Sequence, residues 1–507
     1  MNPTPPRERI CMLTGGGYPY RRDALSGWCR TLVEGLRRFR FELLTVTDRE
    51  PPPAPAYPLP LNVGSARAVA IPGAVASRAV IKNESRRERN ERRRTEAELG
   101  QAAAGLLCRG LIREENDVGR AFADGLRRVA ERPSMLLSLP LADALLEAWR
   151  TGDDLPRLSM RDARTAANLL RHALGAVTVE VPAADLVHCV GGTTPLLSAL
   201  GGRWRQGVPL LLTEARAAVA RHKPHEDRLS PAVRTVLRRF RGSVARTGYA
   251  EAGLIAPLSA YHHEWALRHG APVDKMVAVP PGADPSEYPG VAELESDPAV
   301  VWAGSGGPDS GLSPLLAAFE QVVAAMPGTV LHLVGVTAAH EDYCAEQIER
   351  SGLGRAVRLH PLPAERGDRY TRAHVVAHVP GPADPPYRLV EAMMSGRAVV
   401  GVDVGPAAET LGDAGVLVQP GDPAELAIAV VDLLRAPARR RALAEAARAR
   451  ALTHFTNDRV VRIYGELYAD LAAPPPPPSF ELALAVPAPR SEPPVTLRWL
   501  VSERQDG

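Results

Sequence analysis

Lysine is almost missing from this chain of 507 residues. Only Lys82, Lys223 and Lys275 occur among 61 basic residues, and none follows position 275. Together with 48 prolines and abundant alanine, this bias fits GC-rich codon usage better than a functional demand. A surplus of either charge is missing as well, since 61 basic and 58 acidic residues leave a net charge of +3. Proteins that live on nucleic acid present a basic face, so the near-balance argues against a DNA or RNA partner. Cysteines are few and unpaired in pattern: Cys11, Cys29, Cys108, Cys189 and Cys344 are scattered, with no C-x-x-C. They read as reduced thiols, not as a disulfide frame or a zinc knuckle. No apolar run reaches the ~18 residues of a bilayer span, and residues 1–9 lack the apolar core of a signal peptide. The expectation is a cytoplasmic protein without a transmembrane segment.

What is present points to a parallel α/β protein. The length exceeds a single core, which stops growing near ~250–300 residues, and fits two domains. Residues 9–18 form an apolar run that ends in a glycine-rich turn. Leu25, Trp28, Leu32, Val33, Leu36 and Phe39 then recur at helical spacing, and 41–47 is a second buried strand. That is a βαβ opening. From about 65 to 175 the chain turns arginine- and alanine-rich with helical pattern, and reads as an insertion in the first domain. Its Arg86–Arg94 run alternates with Glu88 and Glu91, which favours a solvated helix face over a polyanion site. Strand patterns resume at 185–188, 209–213 and 250–257, and 275–282 closes that half. A second α/β unit carries strand patterns at 299–302, 330–334, 357–360, 374–379, 398–400 and 415–418, followed by helical pattern over 423–470. From Ala473 the proline content predicts a disordered tail. The division expected is 1–285, 286–472 and 473–507.

The most informative stretch is 386–409, PYRLVEAMMSGRAVVGVDVGPAAE. A helix ends at Ser395-Gly396, a buried strand follows, and Gly405 makes the next turn. This resembles the donor-site segment of family 4, GT-B-fold glycosyltransferases. Val279-Pro-Pro-Gly-Ala-Asp284, Leu331-His-Leu-Val-Gly335 and 415–423 are similar to further motifs of that family, in order. Thr14-Gly-Gly-Gly-Tyr-Pro-Tyr20, with Asp185-Leu-Val-His188 leading to Glu214, looks more narrowly like the Pel-exopolysaccharide glycosyltransferase subfamily with its DUF3492-type N-terminal domain. The resemblance implies two Rossmann-like domains facing a crevice, with a nucleotide-diphosphate sugar as substrate, a glycan acceptor and retention of configuration. It implies no cofactor, and peripheral association with a polysaccharide export complex. Carried over position by position, it places Glu391 on the ribose and Gly304, Ser305, Ser310, Asp384, Arg388, Gly405 and Glu409 around the donor. Gly15, Gly16, Gly17, Tyr18, His188 and Glu214 fall on the acceptor side. No catalytic residue is assigned. The absence of a D-x-D pair agrees with a metal-free site, and His262-His263 with His269 reads as a surface helix because the spacing matches no common ligand set.

The departures from that family matter as much. It carries two cations on the diphosphate where this chain has Ser305 and Ser310. The first carboxylate of its E-x7-E pair falls on Ala383, with Asp384 one step off register. Its acceptor-side glycine pair is Asp23-Ala24, and a histidine expected after Glu214 is Ala215. Each lost charge donor is worth several kcal/mol where negative charge develops, or ~10²–10³ in rate. Arg388 and an amide nest over 304–307 are the compensations in view. Two readings therefore stay open, an active glycosyltransferase and a non-catalytic relative kept for binding or assembly. A third, an NAD-dependent oxidoreductase, is disfavoured because Thr14-Gly15-Gly16-Gly17 is not G-x-G-x-x-G.

Overall fold

The computed structural model describes residues 8–48, 50–52, 54–71, 86–112, 116–215, 224–290, 293, 297–308, 310–361, 367–381 and 385–473. Asp384, Ala383 and the tail 474–507 lie outside them. Residues 1–472 make one compact unit built on two parallel sheets. The first sheet contains β1 (Arg9–Gly15), β2 (Arg40–Thr47), β3 (Val63–Ala70), β4 (Leu186–Val190), β5 (Leu210–Glu214) and β6 (Leu254–Pro257), in the order β3-β2-β1-β4-β5-β6. The second contains β7 (Ala299–Ala303), β8 (Val330–Val334), β9 (Val357–His360), β10 (Val375–His378), β11 (Ala398–Val402) and β12 (Val416–Val418), in the order β12-β11-β10-β7-β8-β9. Both are the doubly wound order 3-2-1-4-5-6, with a switch point between the first and fourth strands. The α/β class and the two Rossmann-like halves expected from the sequence are what the chain adopts.

Burial on both faces explains why the inner strands read as continuous apolar runs rather than alternating ones. Ile10, Cys11, Met12 and Leu13 are all buried although they point to opposite faces of the sheet. One face is covered by helices Thr193–Gln206 and Pro231–Glu251, and the four helices of the insertion, Arg86–Ile112, Asn116–Glu131, Leu141–Trp149 and Met160–Leu174, extend the same core behind them through Leu107, Leu126, Leu145 and Leu170. The other is covered by helix Ala24–Gly35 and by the last helix, Asn457–Ala472. Asp23 caps the former, its carboxylate accepting from the Ser26 amide at 2.8 Å, as helix N-termini prefer.

Three expectations change. The insertion starts after Ile71, because 63–70 forms edge strand β3, whose small residues (VGSARAVA) are only half-buried and hide the strand pattern. Ala250 and Glu251 belong to the preceding helix, so β6 begins at Leu254. The 275–282 stretch, which closes the first half, runs beside β6 through an isolated bridge from Met276 to Ile255 and a bond from the Val279 amide to the Pro257 carbonyl at 2.9 Å. The helical pattern of 423–470 divides into Pro423–Arg435, Pro437–His454 and Asn457–Ala472. The last of these returns to the first sheet instead of staying with the 286–472 unit. Its Tyr464 packs edge-on against Trp28 and its Tyr468 against Phe39, at centroid distances of 5.2 and 5.4 Å.

This return makes a testable contrast. Tyr468→Ala should destabilise the protein by about 3–5 kcal/mol, the range for large aromatic truncations in cores, and it also removes the hydroxyl that pairs with His188. Ending the chain at residue 473 should leave the melting temperature unchanged, because the tail is too rich in proline to pair in a sheet. Melting curves of both variants check the pair.

Candidate functional site

Each sheet opens a cleft at its switch point. In the first, β1 runs into Gly15-Gly16-Gly17-Tyr18, and the hydroxyls of Thr14 and Thr45 both donate to the Tyr18 carbonyl at 2.9 Å, closing the loop. Opposite it, β4 ends at Gly191 and Gly192, whose positive φ values of 55° and 87° turn the chain into helix Thr193–Gln206. Between these loops lies a cleft of about 640 Å³, with Arg21, Asp23, Asp48 and Glu50 on its walls. The acceptor-side residues Gly15, Gly16, Gly17 and Tyr18 come together there.

His188 and Glu214 do not join them. His188 is fully buried on β4, with Nδ1 2.7 Å from the Tyr468 hydroxyl and Nε2 2.7 Å from the Thr213 hydroxyl, which in turn meets the Tyr464 hydroxyl at 2.7 Å. Burial pushes its pKa down to about 3, so the ring is a neutral core group rather than a sugar contact. Glu214 is buried at the end of β5 and accepts from the Tyr249 hydroxyl at 2.7 Å, which with burial raises that phenol. His262 also departs from expectation. It is buried at the start of helix Ala260–Arg268, 2.5 Å from the Ser259 hydroxyl, and burial lowers its pKa to about 4.

These neutral histidines give the protein an acid limit. Their folded pKa values lie below the ordinary 6.5, so the unfolded chain takes up protons that the native state refuses. The stability they secure is complete above pH 6.5 and is lost as pH falls toward 4, by about 1.4 kcal/mol per pH unit for each fully buried ring. The melting temperature should decline steadily across that window. His188→Gln, which keeps hydrogen bonding but cannot titrate, should make the decline shallower.

The second cleft, of about 380 Å³, is shared by the two sheets' modules. Asp23, Ala24 and Leu25 of the first face Gly304, Ser305, Ser310 and Arg388 of the second. The loop after β7 is compressed. A Cβ on Gly304 would stand 2.2 Å from the Trp302 ring, and one on Gly311 (φ +77°) would stand 2.3 Å from the Val379 carbonyl oxygen, so both positions require glycine. Ser305 is exposed, whereas the Ser310 hydroxyl donates to the Gly307 carbonyl.

Glu391 sits behind this cleft, not on its lining. It is the fifth residue of helix Tyr387–Met394 and is 8% exposed. Its Oε2 accepts from Arg369 Nη1 at 2.7 Å, from the Tyr370 hydroxyl at 3.1 Å and from Arg388 Nη1 at 3.2 Å. Burial would lower the Arg369 pKa, but the charge of Glu391 outweighs it and the guanidinium is held more firmly protonated. Burial, then the same carboxylate, raises the Tyr370 phenol. Gly405 makes the expected turn after β11, at φ +59°, and is not among the lining residues. Glu409 does not face the cleft either. Both of its oxygens accept from the Ala260 amide, at 2.9 and 2.8 Å, joining the second module to a helix N-terminus of the first. Burial raises its pKa, partly offset by that bond.

Sequence reasoning missed Arg369, Tyr370, His340 and His378. Tyr370, His340 and His378 line the cleft and Arg369 holds Glu391. None lies in a recognisable motif; the usable signal was their place at the ends of strands of the second sheet or in the segments beside them. Among the described residues, no three His, Cys, Asp or Glu side chains gather as a metal set, and no helix is long and apolar enough to cross a membrane.

Comparison with known proteins agrees with this geometry. Residues 8–274 match the family described as "Domain of unknown function (DUF3492)", and residues 297–436 match "Glycosyl transferases group 1". A D-inositol 3-phosphate glycosyltransferase of Segniliparus rotundus is 35% identical over 202 residues, covering 36% of this chain and 44% of that protein. The chain thus spans less than half the length of this curated relative in the match. Among solved structures, sucrose-phosphate synthase from Thermosynechococcus elongatus superposes with a TM-score of 0.58 at 18% identity, covering 92% of this chain and 99% of the other. HepE of Anabaena, solved with UDP, gives 0.53 at 15% identity, covering 91% and 100%. The UDP-forming α,α-trehalose-phosphate synthase of Burkholderia vietnamiensis gives 0.52 at 16%, covering 92% and 99%. At such identities the likeness is one of fold.

Proposed function

Since the chain belongs to the DUF3492 family and to the GT-B glycosyltransferases, we propose that it transfers a hexose from a nucleotide-diphosphate sugar to a glycan or polysaccharide acceptor, with retention and without a metal. The observation that carries this reading is the shared cleft, in which Asp23–Leu25 of one doubly wound module face the 304–308 loop and Arg388 of the other. Ligands of such sheets bind outside the carboxyl ends of the strands at the switch point. The donor would occupy this cleft and the acceptor the larger one beside Gly15–Tyr18. Relatives of the same fold have been solved with UDP and with UDP-glucose. The narrower Pel likeness and peripheral association with a polysaccharide export complex belong to the same proposal and rest on the 14–20 and 185–214 segments; a cytoplasmic location belongs to it too and rests on the five scattered cysteines.

A second reading, a non-catalytic relative acting as a binding or assembly subunit, is favoured by two observations. Ser305 and Ser310 bring no charge to the cleft, and the carboxylate of Glu391 is already engaged by Arg369, Tyr370 and Arg388. One experiment addresses both readings. UDP and GDP are titrated while melting is followed, then the corresponding nucleotide sugars are tested for sugar release or transfer. A ligand held at 100 times its dissociation constant stabilises by ~2.7 kcal/mol. A melting shift with turnover supports the enzyme; a shift without turnover supports the binding subunit. No shift with either nucleotide removes the donor reading.

A further inference from the structure

The geometry points to His340 as the side chain that meets the donor diphosphate in place of the two missing cations. This inference rests on the donor reading of the shared cleft and names the group that makes it work. His340 comes from outside the glycine loop. It ends the short helical turn Ala338–His340 after β8, and its ring lines the same cleft as Gly304, Ser305 and Ser310.

The ring lies directly on the loop. A Cβ on Gly307 would stand 3.1 to 3.5 Å from its ring atoms, an approach that the glycine leaves open. Nδ1 is 3.1 Å from the Ser305 carbonyl oxygen and 3.0 Å from the Thr337 hydroxyl. A carbonyl oxygen can only accept, so Nδ1 carries a hydrogen in this arrangement. The remaining ring nitrogen is Nε2. With a proton there, the ring is an imidazolium fixed over the loop, with one N–H tied to the loop backbone and the other available to a phosphate oxygen.

The other candidates in the cleft are compromised. Arg388 reaches it, but its guanidinium already pairs with Glu391 at 3.2 Å. His378 lines it as well, yet burial lowers its pKa to about 4 and keeps it neutral. Ser310 is turned onto the Gly307 carbonyl. Among the described lining residues, His340 is the ring held by hydrogen bonds against the loop at the end of β7, outside the carboxyl ends of the strands where such sheets take their ligands.

The test measures calorimetric affinities of UDP, GDP, uridine and guanosine for the wild type, His340→Gln and His340→Ala. Glutamine can keep a bond to the Ser305 carbonyl without the charge, so it guards against loop collapse in the alanine variant. The expected result is that both variants bind the preferred diphosphate about tenfold or more weakly, as for loss of a charge-assisted contact, with nucleoside affinity and melting temperature unchanged. Diphosphate affinity within twofold of wild type in the glutamine variant would overturn the inference and leave the donor reading standing. Equal losses for diphosphate and nucleoside would also overturn it, since the ring would then shape the cleft rather than meet phosphate. A wild type that binds neither UDP nor GDP would overturn both.

Discussion

Glu391→Ala is expected to lower the melting temperature by on the order of 10 °C. The carboxylate is the shared acceptor of a buried cluster, and Arg369 beside it has a side chain only 8% exposed. Removing the acid leaves that guanidinium buried without its counter-charge, a loss of about 3–5 kcal/mol. For a cooperative module of about 150–250 residues, the size of the one that carries Glu391, each kcal/mol moves the midpoint by about 2–4 °C. Two controls separate charge from packing. Arg388→Ala should have a much smaller effect, because that side chain is 24% exposed and Arg369 still holds the acid. Replacing Arg369 and Glu391 together by methionine should recover much of the loss, as apolar replacement of a buried pair often does. A Glu391→Ala midpoint within 2 °C of wild type would show that the cluster contributes little, and would leave Glu391 to a ligand-binding role alone.

Changing Ser305 to Arg and Ser310 to Lys should tighten the binding of nucleotide diphosphates by at least tenfold. Both positions line the shared cleft, and Ser305 is exposed enough to accept a long side chain without displacing core. Each charge-assisted contact contributes roughly 1.5–3 kcal/mol, reduced by salt as the new charges are partly solvated. The Ser310 change also removes a hydroxyl bond to Gly307, which sets part of the gain back. Turnover should not rise with affinity. Ala215 is fully buried and Ala383 has no polar atom in its side chain, so neither of these two positions supplies a functional group. Calorimetry with UDP and GDP at two salt concentrations decides it. Unchanged affinity would mean that the diphosphate does not lie against the 304–310 segment, and would remove the donor mapping with it.

The chain's local chemistry carried most of the fold. Apolar runs such as 10–13 and 398–400 are strands because both faces of a parallel sheet are covered, and that pattern is readable without coordinates. Glycine turns were equally plain: the helix ends at Gly396 and the next turn falls at Gly405, with φ +66° and +59°. The placement of Gly15–Tyr18, and of Gly304, Ser305, Ser310 and Arg388, follows from strand ends at a switch point, which strand order dictates once the strands are known. β3 escaped because an edge strand of small residues buries too little to leave an apolar signature.

Only the tertiary structure decided what the buried polar groups do. His188 looked like a ligand residue at the end of a strand, yet the helix Asn457–Ala472, hundreds of residues away, brings Tyr464 and Tyr468 to satisfy it and its partner Thr213. Glu391 stood in a donor-site motif, but whether its carboxylate faces a ligand or the protein depended on Arg369 and Tyr370, which precede β10. Glu409 found its partner in the Ala260 amide of the other module. The physical reason is the same in each case. Apolar periodicity is a property of neighbours along the chain, whereas a buried polar atom must find its partner in space. The sequence therefore determined two doubly wound modules and where their clefts open, and the packing between distant segments determined which polar side chains reach those clefts.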